Sequence, residues 1–125
     1  MGNHIYGKSV LIDEENNVKD LTLNETAILL AILRLEKKAY GVAIKEDVSK
    51  FIDKKISYGT LYSYLDQLFR KGYISKSIGD PTPERGGRRK IFYKLTKKGT
   101  HALESAYKLQ KMIWERLSEI SFDKV

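Results

Sequence analysis

Residues 57–74 read SYGTLYSYLDQLFRKGYI, and this stretch decides the fold. Serine is a preferred N-cap residue and a left-handed glycine commonly closes a helix, so Ser57 and Gly72 mark the ends of a predicted helix. At about 100° per residue, three leucines fall within about 40° of one another: Leu61, Leu65 and Leu68. The stretch therefore predicts an amphipathic helix that buries these leucines.

The face opposite the leucines is small and polar toward the start of the helix. A recognition helix meets the major groove with its N-terminal residues, and a helix N-terminus attracts phosphate. A glycine in this position lets the backbone come close to a phosphate. We therefore expect DNA contacts from Ser57, Tyr58, Gly59, Thr60, Tyr62, Ser63 and Gln67. The alternative is that the serine and threonine only cap the helix and that the tyrosines only cover the core.

Another helix is predicted well upstream of this one. The sequence Thr22-Leu23-Asn24-Glu25 has the form of a capping box, so a helix begins there and runs to about Lys37. Apolar residues recur along it at helical spacing. Leu29, Leu30 and Leu33 widen the apolar stripe, which predicts that this helix is buried on more than one side.

A further helix lies between these two. Ala39-Tyr40-Gly41 breaks the upstream helix, and the next one is predicted to continue through Ile52 and to end at Lys54-Lys55. Only a short turn then separates it from the helix that starts at Ser57. Two helices joined in this way form a helix-turn-helix, whose second member reads DNA in proteins that bind the double helix.

The apolar period changes from 3.6 to 2 after the third helix. Residues 73–78 and 91–95 alternate as strands, and residues 79–87 form a loop with both prolines of the chain. Two strands joined in this way make a hairpin with a protruding tip. The sequence therefore predicts a mainly α fold with a small β-hairpin, a winged helix-turn-helix.

Most of the net positive charge of the chain lies around this hairpin. Residues 84–98 carry seven basic side chains against Glu84 alone, while the formal net charge of the whole chain is +7. Such a concentrated basic stripe indicates a polyanionic partner, of which nucleic acid is the commonest. We expect DNA contacts here from Arg85, Arg88, Arg89 and Lys90. The alternative is a solvated loop that only aids solubility.

The last predicted helix is long for so small a domain. Thr96 caps it, and it extends from Lys97 to about Ser121, a span of about 37 Å. A heptad-like apolar seam along it predicts a dimer interface, with packing on the first helix of the same chain as the alternative. Trp114 is the only tryptophan, and it has the size to stack on a flat apolar ligand. The expected ligand or dimer residues are Ala106, Tyr107, Gln110, Ile113, Trp114 and Leu117.

Composition limits the remaining classes of protein. The chain has 125 residues, 42% of them hydrophobic and 31% charged, which is typical of one globular domain. It has no cysteine, which excludes disulfides and thiolate metal sites, and no apolar run long enough to cross a membrane, so we expect a cytoplasmic protein. We divide the chain into an N-terminal arm of uncertain order (residues 1–20), a winged helix-turn-helix DNA-binding domain (21–96) and a C-terminal dimerisation helix (97–125).

Several motifs of the chain occur together in one known family. They are Tyr40-Gly41, Ser57-Tyr58-Gly59-Thr60-Leu61-Tyr62, Leu65, Leu68, Lys71-Gly72-Tyr73-Ile74, Gly86-Gly87-Arg88-Arg89-Lys90 and Phe92-Tyr93-Lys94-Leu95-Thr96-Lys97-Lys98-Gly99. In this combination, from about Leu21 to Leu103, the chain resembles the PadR family of bacterial transcriptional regulators. The resemblance implies a homodimeric repressor released by a small molecule, and the single C-terminal helix resembles the small subgroup of the family. The arm before Leu21 is longer than the family pattern.

These observations favour a sequence-specific DNA-binding transcriptional regulator. We expect it to bind double-stranded DNA as a homodimer and to act as a repressor that a small aromatic or apolar effector releases. The alternative is a winged-helix adaptor that binds a protein partner. An enzyme is the weakest interpretation, because the chain has only His4 and His101 as histidines, no recognisable nucleophile motif and no phosphate-binding glycine loop. We therefore expect no catalytic residues, no metal and no cofactor.

Overall fold

The computed structural model describes residues 20–51, 55–79 and 89–120. Along the chain the elements are α1 (Leu23–Leu35), a 3-10 turn (Glu36–Lys38), α2 (Gly41–Ser49), α3 (Tyr58–Arg70), β1 (Ile74–Ile78), β2 (Ile91–Leu95), α4 (Lys97–Glu115) and a second 3-10 turn (Arg116–Glu119). The two strands form one antiparallel hairpin. This order confirms the predicted fold class, a mainly helical winged helix-turn-helix with a long C-terminal helix.

Side-chain caps start three of the helices where the sequence indicated. Thr22 Oγ1 accepts a hydrogen bond from the Glu25 amide at 3.1 Å, and Glu25 Oε1 accepts one from the Thr22 amide at 2.9 Å. Ser57 Oγ accepts from the Thr60 amide, also at 3.1 Å. Thr96 caps α4 in the same way, and Gly72 follows α3 with a φ of 82°. Local hydrogen bonding of this kind is readable from sequence because donor and acceptor are three residues apart.

The predicted helix ends were less accurate than the starts. Helix α1 ends at Leu35 because Glu36 takes a φ of 52°, outside the helical region. Helix α2 ends at Ser49, not beyond Ile52, and no side chain from Ser49 to Phe51 is buried against the core. The α-helical part of α4 stops at Glu115, so it spans about 28 Å and not 37 Å.

The core lies where α1, α2, α3 and the inner face of the hairpin meet. The three leucines of α3 are buried as predicted. Their neighbours in the core include Ile28, Leu29, Ile32, Ile44, Val48, Tyr73, Ile74 and Tyr93. The prediction that α1 is buried on more than one side was wrong, since Leu30 is 37% exposed and Leu33 is 50% exposed. One face of α1 therefore supports the core, and the residues that the structure describes leave the other face exposed.

The hairpin is held to the helices on two sides. The segment before α2 pairs with β2, because Tyr40 and Phe92 form an isolated β-bridge and the Tyr93 amide donates to the Ala39 carbonyl at 2.8 Å. At the other end Thr96 Oγ1 donates to the Gly72 carbonyl at 2.5 Å. These bonds fix the hairpin relative to α2 and to the end of α3.

Candidate nucleic-acid interface

The polar face of α3 and its cap form an exposed surface. All seven residues predicted for this segment are exposed: Ser57, Tyr58, Gly59, Thr60, Tyr62, Ser63 and Gln67. Ser57 and Thr60 also hydrogen bond to each other, with 3.0 Å between their hydroxyl oxygens. Ser57 therefore caps the helix, as the alternative interpretation held, while Thr60 donates its amide to this cap, and both residues are exposed.

Two tyrosines connect this surface to α2. The rings of Tyr58 and Tyr62 are stacked with 6.3 Å between their centroids, and Lys45 Nζ lies 4.9 Å from the Tyr58 centroid. The Tyr62 hydroxyl lies so close to Gly41 that a Cβ at this glycine would overlap it. Both tyrosines remain exposed, so they brace α3 on α2 and do not cover the core.

The start of β2 lies beside the same end of α2. Lys90 Nζ is 4.2 Å from the centroid of the Tyr40 ring, and the Tyr40 and Phe92 rings are 5.7 Å apart. Because Tyr40 precedes Gly41, contacts run without a gap from Tyr62 on α3, past the start of α2, to Lys90 on the hairpin. The exposed face of α3 and the base of the hairpin tip are thus neighbours.

A buried tyrosine joins β2 directly to α3. Burial raises the pKa of the Tyr93 phenol above its ordinary value, and the nearby Tyr62 and Asp66 raise it further. Tyr93 therefore keeps its proton and faces the flank of α3 that carries these two residues. On the surface beside them, Asp66 forms an ion pair with Arg70, one turn later in α3, with 2.7 Å between Asp66 Oδ2 and Arg70 Nη2.

The predicted contacts of the hairpin fall partly outside the described residues. Arg85 and Arg88 lie there, in the stretch 80–88, whereas Arg89 and Lys90 are exposed at the edge of the described chain. The predicted N-terminal arm also lies outside the described residues, except for Asp20, which is exposed. Of the four predicted hairpin cations, Lys90 is the one whose described contact, with the Tyr40 ring, leads toward the α3 surface.

A second candidate site is a groove of about 620 Å³ between α1 and α4. Four of the predicted ligand or dimer residues line it: Ala106, Tyr107, Gln110 and Trp114. Leu30 and Leu33, the exposed leucines of α1, form the facing wall. The two other predicted residues do not line it, since Ile113 is exposed on another side of α4 and Leu117 lies half-buried in the 3-10 turn. Trp114 is 61% exposed, so the described residues of the chain leave this face uncovered.

With this geometry established, comparison with known proteins identifies the family. The sequence matches the Transcriptional regulator PadR-like family over residues 29–105, more than half of the chain. The chain belongs to the PadR-like family. Members of this family are transcriptional regulators, which confirms the resemblance and the interpretation of the sequence as a regulator and not an enzyme. No curated protein sequence matches the chain with significance.

Solved structures of related regulators have the same fold. A PadR family transcription regulator from Clostridium difficile R20291 is 26% identical, with a TM-score of 0.59 over 75% of this chain and 95% of that one. A PadR-like transcription factor from Bacteroides fragilis is 28% identical, with a TM-score of 0.61 over 78% and 88%. A MarR mutant from E. coli is 24% identical, with a TM-score of 0.60 over 84% and 70%, a likeness that shows the fold alone.

The structure of this PadR-like chain places two further lysines beside α3, neither of which was predicted from the sequence as a site residue. Lys45 on α2 approaches Tyr58, as described above, and Lys76 Nζ on β1 lies 4.4 Å from the Phe69 ring centroid on α3. Lys76 pairs with Tyr93 in the hairpin register, which places it on the α3 side of the sheet. The alternation of side chains between the two faces of β1 could have indicated that Lys76 lies on the α3 side of the sheet. The position of Lys45, in contrast, depends on how α2 packs against α3.

Neither a membrane-spanning helix nor a metal-binding cluster occurs in the described part of the chain. In residues 20–51, 55–79 and 89–120, no helix is long and apolar enough to cross a membrane. The same part of the chain contains no group of three or more side chains arranged to hold a metal ion.

Proposed function

We propose that this PadR-like regulator is a sequence-specific repressor that binds double-stranded DNA as a homodimer. One observation supports the proposal: contacts run from Tyr62 past Gly41 and Tyr40 to Lys90, so the α3 surface and the base of the hairpin are neighbours. In the proposed complex a duplex touches both elements at once. Helix α3 then enters the major groove while the basic hairpin follows the adjacent backbone or minor groove.

The chemistry of the α3 surface divides the contacts into two kinds. Ser63 and Gln67 are exposed on the solvent side of the helix and carry the donors and acceptors that read base edges. Ser57 and Tyr58 lie at the start of the helix, where hydroxyl groups and backbone amides position phosphates, and Tyr62 follows one turn after Tyr58. The hairpin cations, Arg85, Arg88, Arg89 and Lys90, supply the sequence-independent part of the affinity.

Dimerisation and effector release both concern α4. The exposed aromatic and aliphatic side chains of its second half include Tyr107, Ile113 and Trp114. An exposed apolar face of this kind favours a partner, and a second copy of the chain is the partner that a two-fold symmetric operator requires. The groove beside Trp114 has a volume within the range of small-molecule sites, which supports a flat aromatic or apolar effector there.

Salt dependence of DNA binding tests the proposal. If each subunit neutralises about four phosphates, the logarithm of the association constant falls with the logarithm of salt concentration at a slope near −7. The double variant Arg88→Ala/Arg89→Ala removes four cations per dimer and should reduce the steepness of that slope by up to about four. Lys108→Ala is the control, because Lys108 is an exposed lysine of α4 and belongs to neither α3 nor the hairpin.

Two outcomes contradict this proposal. A slope near zero for the unmodified protein would exclude phosphate contacts as the source of affinity. Retained duplex binding by the double arginine variant at physiological salt, together with loss of a bound protein partner, would instead favour the adaptor function. The duplex for both measurements comes from selection out of a random pool, which also defines the operator.

A further inference from the structure

Helix α3 carries one ion pair on its exposed side. Asp66 and Arg70 are the only charged residues of this helix, and 2.7 Å separates Asp66 Oδ2 from Arg70 Nη2. The side chain of Asp66 is 47% exposed and that of Arg70 is 75% exposed. Ser63 lies one turn before Asp66 and Arg70 one turn after it, so the three form a line down the helix surface. The ion pair therefore belongs to the surface that is proposed to bind DNA.

The ion pair is directed toward the start of α3, the end with which a recognition helix meets the groove. Side chains of a helix tilt toward its N-terminus, so the Arg70 guanidinium covers the preceding turn, where it contacts Asp66. The hairpin lies on the other side of this carboxylate, because burial, Tyr62 and Asp66 together raise the pKa of the Tyr93 phenol on β2. Asp66 is therefore placed between Arg70 and the hairpin.

The second oxygen of the Asp66 carboxylate is available to a donor outside the protein. Oδ2 faces Arg70, whereas none of the side-chain hydrogen bonds between described residues uses Oδ1. A guanidinium group has five N–H donors, and a single ion pair leaves most of them unused. The pair thus presents one acceptor next to several donors.

This order of groups matches one kind of base pair. In the major groove guanine presents two acceptors, N7 and O6, and its cytosine partner presents a donor, the N4 amino group. An adenine–thymine pair presents an acceptor, a donor, a second acceptor and a methyl group. Two neighbouring guanidinium donors beside a carboxylate oxygen complement the guanine–cytosine edge and not the adenine–thymine edge.

Other roles do not account for a carboxylate at this position. A negative charge on a surface that approaches phosphates is unfavourable, since like charges repel. Arg70 offsets the charge of Asp66, so the two together add no net positive charge that would attract the DNA backbone. An exposed ion pair one helical turn apart also contributes little to the stability of a fold. A contact with a base gives the carboxylate a favourable partner.

We propose that the Asp66–Arg70 pair reads one G·C base pair in each half of the operator. Arg70 donates two hydrogen bonds to guanine O6 and N7, and Asp66 Oδ1 accepts one from cytosine N4. This inference rests on the proposed function and adds to it a base pair that the protein distinguishes. It differs from a phosphate contact by Arg70, which would carry no information about sequence.

Fluorescence anisotropy with the selected duplex tests the assignment. Each G·C pair is changed in turn to A·T, symmetrically in both half-sites. At one position this change should lower the affinity of the unmodified protein by about tenfold or more. Asp66→Ala and Arg70→Ala should each bring this ratio close to one and leave the preferences at other positions unchanged. Lys108→Ala, which removes an exposed cation of α4, is the control and should keep the full ratio.

Modified bases separate the two contacts at that position. In 7-deazaguanine the N7 acceptor is missing, and in 2-pyrimidinone the N4 amino group of cytosine is missing. We expect each modified base to weaken binding of the unmodified protein by roughly fivefold or more, since a charge-assisted hydrogen bond is lost in each half-site. Arg70→Ala should be insensitive to 7-deazaguanine, and Asp66→Ala should be insensitive to 2-pyrimidinone.

Three results would overturn the base contact while the proposed function stands. One is an unchanged ratio at every G·C pair in both variants, with native circular dichroism. Another is an equal loss of affinity on every duplex, which is the signature of a phosphate contact. The third is equal affinity of the unmodified protein for natural and modified bases. If the protein selects no duplex from the random pool, the proposed function fails and this inference fails with it.

Discussion

Gly59 distinguishes what the fold needs from what DNA binding needs. A Cβ at Gly59 would meet only Ser57 Oγ, at 4.0 Å, and the residue has no left-handed φ. The fold therefore has room for an alanine, and alanine is the better helix former by about 0.5–1 kcal/mol. Because Gly59 lies in the first turn of α3, we expect Gly59→Ala to raise the free energy of unfolding by about 0.5 kcal/mol and Tm by roughly 2–4 °C.

The same methyl group should harm DNA binding. If the start of α3 lies against the phosphate backbone, a methyl at Gly59 fills the gap through which the backbone approaches. Overpacking of a close interface costs about 1–3 kcal/mol, so duplex affinity should fall by about tenfold or more. Fluorescence anisotropy with the selected duplex measures the affinity, and thermal unfolding followed by circular dichroism measures the stability.

Gly41→Ala is the matched contrast to this variant. A Cβ at Gly41 would overlap the Tyr62 hydroxyl, so this substitution should lower Tm where Gly59→Ala raises it. Stabilisation by Gly59→Ala with unchanged duplex affinity would refute the reasoning, because the helix start would then not approach the backbone. Destabilisation by Gly59→Ala would contradict the conclusion that the fold has room for a methyl group beside Gly59.

Two further predictions concern acid stability and the dimer. Burial alone would raise the pKa of the Glu25 carboxyl, but hydrogen bonds from Thr22 and Lys71 outweigh it, so the pKa is lower in the folded than in the unfolded protein. The ionised carboxylate therefore stabilises the fold at pH values above the unfolded pKa, and this stabilisation is lost as the pH falls through the folded pKa. Glu25→Gln should flatten the acid side of a Tm-against-pH profile, whereas an unchanged profile would contradict the ion pair with Lys71. Trp114→Lys should raise the dimer dissociation constant by roughly thirtyfold, which is the effect of losing an interface hot spot. Sedimentation equilibrium measures this constant, with Lys108→Ala as the control. Equal dissociation constants for the variant and the unmodified protein would exclude Trp114 from the interface.

Local signals made most of the fold predictable from sequence. The caps at Thr22, Ser57 and Thr96 act over three residues, and the strand 91–95 was bounded correctly by its own alternation. The end of α1 was not predictable, because nothing in the sequence around Glu36 indicates a positive φ. A contact from a distant part of the chain follows directly after this turn, where the Tyr93 amide of β2 donates to the Ala39 carbonyl.

The candidate interface was predictable only within single elements. The exposed face of α3 followed by subtraction once the leucines were assigned to the core, and the structure agrees. Contacts between elements could not be derived in this way, which is why Lys45 beside Tyr58 was missed. The exposed Leu33 was misjudged for a related reason, since hydrophobic periodicity does not tell whether an apolar side chain is covered by its own subunit or by another.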